Sequence, residues 1–292
     1  MDTALILCRF LQYGAAMLIF GIAAFAGFIA PDGLRDRFGV LTGRVSAMLA
    51  LVIALTAVGW FMLEAAEAGN GWADAVSPDT IAALAVETAF GQAWIWHLAC
   101  VAVLLIGLGT RGNARRWAAL VASVLVLASL GLVGHAAMQD GAIGMLHRLN
   151  DMLHLLSSGF WVGCLVPLLV CLMQLRGASS RADSGTALRR FSGLGHVAVA
   201  LALVTGLLNT TLVLHHLPLD PGSPYQLLLA IKIGLVLVMV GLALVNRYVT
   251  TSRLAVDAPR ALRALAFGTA GEIVLGAIVI ALVSAFATFD PV

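Results

Sequence analysis

The hydrophobic positions of this chain are grouped in long blocks, and the polar positions are confined to short connections between them. A transmembrane helix needs about 20 mostly apolar residues, and eight blocks are about that long or longer. They cover roughly residues 3–30, 42–66, 91–109, 115–137, 146–175, 188–214, 224–249 and 261–288. Since the connections leave no room for a soluble domain, the pattern predicts one all-α, polytopic membrane domain of eight transmembrane helices over residues 1–292.

The composition supports this prediction. Hydrophobic residues make up 61% of the chain and charged residues 11%, whereas soluble domains carry about 25% charged residues. The sequence has no glycine-rich phosphate loop, no Gly-x-Ser-x-Gly elbow and no His-Glu-x-x-His pair, which are motifs of common enzyme classes. We therefore expect a membrane protein that binds or moves a ligand and catalyses no bond chemistry.

The basic residues predict the orientation. All 17 except Arg9, Arg148 and Lys232 fall in or beside four alternate connections. Basic connections face the cytoplasm by the positive-inside rule, so both termini should lie on the opposite side. On that side Ser77-Pro78-Asp79 resembles a helix start, which predicts a short surface helix over residues 78–89.

The chemistry of the chain is concentrated between Gly134 and Leu165. His147, Asp151 and His154 are spaced i, i+4, i+7 and so share one helix face. His135 ends the preceding span, and Met138 follows it in the short turn. A short turn makes the two helices antiparallel neighbours, so His135 can approach the stripe from across their interface.

This cluster is the primary candidate for a metal site. Imidazole and thioether ligands suit copper better than magnesium or calcium. Asp151 is either a ligand or the group that orients a ligating histidine, because such histidines usually donate their second ring nitrogen to a carboxylate or carbonyl. The alternative is a buried polar network that only ties the two helices together.

Two further pairs are secondary metal candidates. His97 and Cys100 lie three residues apart on one helical face and offer soft ligands. Alternatively, His97 is hydrogen-bonded to a neighbouring helix. His215 and His216 lie in a connection on the same side of the membrane as the main cluster.

Polar residues in the later spans indicate a transport path or gate. These are Asn209, Lys232 and Glu272. Lys232 and Glu272 lie at overlapping depths, so an ion pair between them is feasible. Such pairs either mark ion pathways or lock helices together, and both interpretations stay open.

The order and spacing of these residues resemble the CopD family of bacterial copper-resistance inner-membrane proteins. The resemblance is strongest in helices 4 to 8, roughly residues 115–290. It rests on Gly134-His135-Ala136, His147, Asp151-x-x-His154-Leu155-Leu156-x-x-Gly159-x-Trp161-Val162-Gly163, Arg190-Phe191-Ser192, Thr205-Gly206-x-x-Asn209, Tyr225 through Lys232, Asn246-Arg247 and Glu272-x-x-Leu275-Gly276.

The resemblance implies eight spans in the bacterial inner membrane and a copper ion moved across it toward the cytoplasm. In that membrane the side opposite the cytoplasm, where the basic residues predict both termini, is the periplasm. It also implies a periplasmic copper carrier of the CopC type. Some family members are fused to a CopC-like domain, but these 292 residues leave no room for one. We therefore expect a separate carrier, with membrane lipid as the other partner.

Two alternatives remain at this point. Histidines on different helices also ligate haem axially in membrane b-type cytochromes, and His97, His135, His154 and His215 are candidates for bis-histidine ligation. The crowding of these histidines toward one side of the membrane weighs against that interpretation. The other alternative is an assembly factor that binds no metal.

Overall fold

The described part of the chain is helical and contains no strand. In this computed structural model it comprises residues 2–69, 71–134, 141–174, 181–214, 220, 222–286 and 289. The α-helices in these ranges are α1 (Asp2–Ala24), α2 (Asp32–Ala68), α3 (Pro78–Glu87), α4 (Ala89–Leu108), α5 (Gly112–Ser129), α6 (Gly141–Gln174), α7 (Arg181–Leu214), α8 (Pro224–Leu244) and α9 (Ala258–Phe286). Two π-helical segments, Phe25–Ile29 and Val245–Thr250, extend α1 and α8.

Eight helical stretches of the described chain are long and apolar enough to cross a membrane. They are Asp2–Ile29, Thr42–Ala68, Ala89–Leu108, Gly112–Leu132, Gly141–Met173, Ala182–Leu214, Pro224–Leu254 and Ala258–Phe286. This confirms the all-α fold with eight spans. Helices suit the bilayer because they satisfy every backbone hydrogen bond internally.

The short helix α3 confirms the helix predicted after Ser77. The Ser77 hydroxyl accepts a hydrogen bond from the Thr80 amide at 3.5 Å, and Pro78 occupies the first turn. Both features are typical of a helix N-terminus.

Some helix ends differ from the apolar blocks. Helix α2 begins ten residues before the predicted start at 42, because hydropathy reports only the part inside the bilayer. Helix α5 ends at Ser129 instead of 137 and continues as one tight turn, Leu130–Leu132. Gly134 follows with a φ of +92°, a backbone conformation that glycine adopts readily.

Helix α1 lies at the centre of the bundle. It packs against α2, α5, α6 and α9 and so joins the two halves of the chain. The contact with α6 is close because two glycines face each other: a Cβ at Gly21 would lie 2.0 Å from the Gly163 carbonyl carbon. Small residues at such crossings let helix backbones approach in membranes.

A charged contact also joins α1 to α2. Arg9 donates to Glu64 at 3.4 Å, and its guanidinium lies 5.1 Å from the centre of the Trp60 ring. The Trp60 indole donates to the same Glu64 oxygen at 2.8 Å. Arg9 is therefore part of the helix packing.

Consecutive spans run in opposite directions and give the bundle two ends. We call the end where α2, α5, α7 and α9 begin the arginine-rich end. The other end, where α4, α6 and α8 begin, carries His147 and is called the histidine end. At that end the Tyr225 ring of α8 meets the Phe286 ring of α9, with centres 5.2 Å apart.

Candidate metal-binding site

A cavity of about 240 Å³ lies at the histidine end between α1, α6, α7, α8 and α9. His147, Asp151 and His154 of α6 all line it, as their helical spacing predicts. His147 is buried, with 2% of its surface exposed. We call this space the histidine cavity.

The hydrogen bonds of His154 fix which ring nitrogen is free. Its Nδ1 lies 3.1 Å from the Ala202 carbonyl oxygen and 3.1 Å from the Thr205 hydroxyl. Since a carbonyl only accepts, Nδ1 carries the proton, and the lone pair of the neutral ring is on Nε2. A metal-ligating histidine is usually held in this way, with its other N–H bonded to a carbonyl or carboxylate.

Gly206 provides the space for this ring. A Cβ at that position would lie 3.1 Å from Cε1 of His154. The two helices α6 and α7 therefore approach closely here, and the imidazole is confined by backbone on the α7 side.

Asp151 is held by an amide network from the same two helices. Asn209 donates to Asp151 Oδ1 at 2.8 Å, and Asn209 Oδ1 accepts from Asn150 at 2.6 Å. The Asn150 amide also donates to the Thr205 carbonyl at 2.9 Å. The network orients Asp151 toward the cavity and fixes both ends of the Asn209 amide. Asn209 thus contacts the predicted metal-site carboxylate directly.

The remaining members of the predicted primary site, His135 and Met138, lie outside the described residues. Within the described ranges no three His, Cys, Asp or Glu side chains are grouped closely enough to hold a metal ion. The preceding helix does approach α6 about one turn before His135. A Cβ added at Gly131 would lie 3.0 Å from Cγ of Met152.

Lys232 belongs to the histidine cavity and does not form an ion pair with Glu272. It lines the cavity with Asp151, and the two charges interact electrostatically. Its ammonium lies 5.8 Å from the centre of the Phe286 ring. The pair that the matching depths made feasible is therefore not formed, because depth does not determine which way a side chain points around its helix.

Glu272 lies in a second cavity, of about 230 Å³, toward the arginine-rich end. Only 3% of its surface is exposed. Its carboxylate accepts hydrogen bonds from Asn246 at 2.9 Å and from the Trp161 indole at 3.3 Å. We call this space the glutamate cavity.

The π-helical segment Val245–Thr250 supplies two polar residues of the glutamate cavity, Asn246 and Arg247. Asn246 reaches Glu272, while Arg247 donates to the Ser192 hydroxyl at 2.6 Å and lies 2.9 Å from Nδ1 of His196. Single π-turns are frequent at functional sites.

Trp161 lies between the two cavities. Among the described residues it alone lines both, and it is buried, with 4% of its surface exposed. It lies seven residues after His154, which is about 10.5 Å along a helix axis. Its side chain is therefore part of the walls of both cavities.

The secondary candidate His97 is hydrogen-bonded through both ring nitrogens. Nε2 lies 2.7 Å from the Gln12 amide nitrogen of α1, and Nδ1 lies 2.8 Å from the Ser129 hydroxyl of α5. The ring is fully buried. This geometry matches the alternative of a histidine bonded to neighbouring helices, and it leaves no ring nitrogen for copper with Cys100 or for haem. His215 and His216 lie outside the described residues.

Two residues at or beside the histidine cavity were not given a role from the sequence. Asn150 anchors the amide network, and Tyr13 brings α1 to the wall of the histidine cavity. Trp161 was named only as part of the family motif. An amide beside Asp151 in an apolar span was a usable signal for Asn150. Nothing in the local sequence of α1 indicated that Tyr13 lines this cavity.

Comparison with known proteins identifies the family of the chain. Residues 1–145 match the profile "Copper resistance protein D-like, N-terminal domain", and residues 185–286 match "Copper resistance protein D". The chain is 33% identical over 285 residues to the "Inner membrane protein YebZ" of Escherichia coli K12, covering 97% of each protein.

Two further relatives are named for copper. The chain is 29% identical to the "Copper resistance protein D" of Pseudomonas syringae pv. tomato, over 99% of its own length and 97% of the relative. It is also 29% identical to the "Copper transport protein CutJ" of Bacillus subtilis, over 77% of its own length and 42% of the relative. No solved structure matches. The resemblance inferred from helices 4 to 8 thus extends to the N-terminal half, and the chain belongs to the copper resistance protein D family.

Proposed function

We propose that this multi-pass inner-membrane protein binds a copper ion in the histidine cavity and moves it across the membrane. One observation carries the proposal. Two mainly apolar cavities, each lined by ionisable side chains, lie one behind the other along α6, in a family with members named for copper resistance and copper transport. Polar and ionisable side chains inside a membrane are costly and usually mark an ion pathway.

The ligands of the proposed site come from the stripe on α6 and from the connection before it. His154 offers Nε2, since its Nδ1 proton is held by α7. His147 adds a second imidazole from the same wall. His135 supplies a third, with Asp151 as orienting group or fourth ligand and Met138 as a soft ligand. Imidazole and thioether together suit copper.

The proposed path continues through Trp161 to the glutamate cavity. Lys232 faces Asp151 at the start of this path, and its ammonium compensates the carboxylate while no copper is bound. Asn209 holds that carboxylate in place. Passage of the ion requires the Trp161 ring to move away, which breaks its hydrogen bond to Glu272. The Glu272 carboxylate then receives the ion on the far side.

We propose that the arginine-rich end faces the cytoplasm and that both termini lie in the periplasm, as the positive-inside rule predicts. The eight spans act as one domain. Copper enters at the histidine end, delivered by a separate periplasmic carrier of the CopC type, and leaves toward the cytoplasm.

Copper titration of the purified protein tests the binding site. We expect one copper ion per chain and a sharp loss of affinity in His147→Ala and in His154→Ala. Asp151→Asn should weaken binding by about 10–100-fold, as the loss of a group that orients a ligand does. His196→Ala is the matched control, since this exposed histidine lies at the glutamate cavity, and it should bind copper normally. A triple alanine variant at 135, 147 and 154 with wild-type affinity would place the site elsewhere.

Copper uptake by proteoliposomes tests the path. Glu272→Gln should keep copper binding and lose transport, because the neutral amide is a poor ligand beyond the barrier. Trp161→Ala should raise passive leakage of copper, while Trp96→Ala, at a tryptophan that is 67% exposed, should not. Normal transport by Glu272→Gln would remove the glutamate cavity from the path.

A further inference from the structure

A third cavity, the largest of the three at about 670 Å³, lies at the arginine-rich end. It is formed where α1 and its π-helical segment meet α2, α4, α5 and α6. Its inner wall is apolar and includes Ile19 and Ile22 of α1 and Val166 and Val170 of α6. No step of the proposed copper path uses it. We call it the arginine cavity.

Three arginines line this cavity against one acidic residue. Arg35 belongs to α2, Arg115 and Arg116 belong to α5, and the acidic residue is Asp36. The lining therefore carries a formal charge of +2. Neither Arg115 nor Arg116 forms an ion pair with a carboxylate of the described chain.

The backbone holds two of these guanidinium groups in place. Arg35 donates to the carbonyl oxygens of Ala26 and Ala30, each at 3.0 Å, and also contacts Asp32. Ala26 lies in the π-helical segment after α1. Arg115 donates to the Gly43 carbonyl of α2 at 3.3 Å. The positive charges are thus fixed on α2 and α5, on both sides of the cavity.

Arg116 carries an unsatisfied donor. Its Nε is buried and has no hydrogen-bond partner, while the guanidinium lies 5.0 Å from the centre of the Trp117 ring. A buried donor without a partner costs about 1–3 kcal/mol. Native structures rarely leave one unless a water or ligand completes it.

We propose that the arginine cavity binds the phosphate group of an anionic membrane lipid. A phosphate offers several acceptor oxygens to the forked donors of arginine, and the single negative charge of a lipid phosphodiester would offset one of the two excess positive charges of the lining. The apolar inner wall provides a surface for the lipid chains. Basic pockets between transmembrane helices on the cytoplasmic side are known to hold such head groups. The bound lipid joins α2 to α5 and so fixes the N-terminal half of the bundle.

Thermal unfolding of delipidated protein in detergent tests this proposal. Phosphatidylglycerol should raise the melting temperature by several degrees, because its head group is anionic. Phosphatidylcholine has the same phosphodiester with a compensating cation and should give a much smaller shift. Inorganic phosphate tests whether a free phosphate ion occupies the cavity instead of a lipid. If phosphate alone raises the melting temperature as much as phosphatidylglycerol does, the assignment to a lipid is overturned.

The variant Arg115→Gln with Arg116→Gln should lose most of the response to phosphatidylglycerol. Arg111→Gln with Arg190→Gln is the matched control, because it removes the same charge from two exposed arginines outside the cavity. Equal responses in both variants would overturn the proposal. If the first variant does not fold, Arg116→Gln alone is examined by native mass spectrometry, where it should retain less co-purified anionic lipid than wild type. Copper binding is measured independently, so either result leaves the copper proposal unaffected.

Discussion

The crossing of α1 and α6 gives the most direct test of the packing. Gly163 faces the backbone of α1, and a Cβ there would lie 2.1 Å from the Met17 carbonyl oxygen. An ordinary contact begins at 3.4 Å, so Gly163→Ala must push the helices apart by roughly 1 Å. The obstructing atoms are backbone, so no side chain can rotate to relieve the clash.

The size of the stability change in Gly163→Ala follows from two opposing effects. Overpacking of this kind typically costs about 1–3 kcal/mol, whereas alanine in place of glycine favours a helix by up to about 1 kcal/mol. Gly14→Ala isolates the second effect, because Gly14 lies on α1 with no atom within 4 Å of its Cβ position. We expect Gly14→Ala to leave the free energy of unfolding unchanged or to raise it. The free energy of unfolding of Gly163→Ala should be about 1–3 kcal/mol lower than that of Gly14→Ala.

The assay is thermal unfolding of both variants in the same detergent. A difference of 1 kcal/mol corresponds to about 2–4 °C for domains of 150–250 residues, so Gly163→Ala should melt several degrees below Gly14→Ala. Gly163→Val should be worse, because it adds two methyl groups at the same contact. If Gly163→Ala melts together with Gly14→Ala, the close contact between α1 and α6 is wrong.

Three further predictions concern other parts of the bundle. His97→Ala should lower the melting temperature, because it leaves buried polar groups on two helices without their hydrogen-bond partner. The number of copper ions bound per chain should not change, and the loss of one copper ion would show that His97 is a ligand. Asn150→Ala should lower the free energy of unfolding by about 0.6 kcal/mol and by at most about 1.7 kcal/mol, as measured for hydrogen bonds between membrane helices. A chemical unfolding titration measures this change, and a substitution at the exposed Asn113 is the control that should have no effect. Alkaline phosphatase fused after Gly109 should be inactive and after Val292 active, whereas equal activities would contradict the orientation.

Much of the fold was predictable because the bilayer imposes simple rules. A span must be apolar over about 30 Å of hydrocarbon, so the eight helices are visible as eight apolar blocks. Likewise, His147, Asp151 and His154 share a face whatever their neighbours are, because an α-helix repeats every 3.6 residues. That they line one cavity therefore agrees with their spacing alone.

The contacts between helices were less predictable, because they depend on rotation about each helix axis. The sequence places Lys232 and Glu272 at similar depths, yet Lys232 lines the histidine cavity with Asp151, whereas Glu272 accepts hydrogen bonds from Asn246 and Trp161. The local sequence indicates how deep in the membrane a residue lies. It indicates the direction in which a side chain points around the helix axis only where polar residues recur on one face. Single charges in apolar helices, such as these two, carry no such repeat.

The position of Trp161 limits how the proposed path can open. It lies two residues before Gly163, where α6 is held against the backbone of α1, so this part of α6 cannot shift toward α1. Its other neighbours at the barrier are Glu272 of α9 and, through that carboxylate, Asn246 of the π-helical segment. Trp161 donates to Glu272, Asn246 donates to the same carboxylate, and all three line the glutamate cavity. Opening of the path therefore requires rotation of the Trp161 ring or displacement of α9 and the segment Val245–Thr250, with α1 and α6 as the fixed frame.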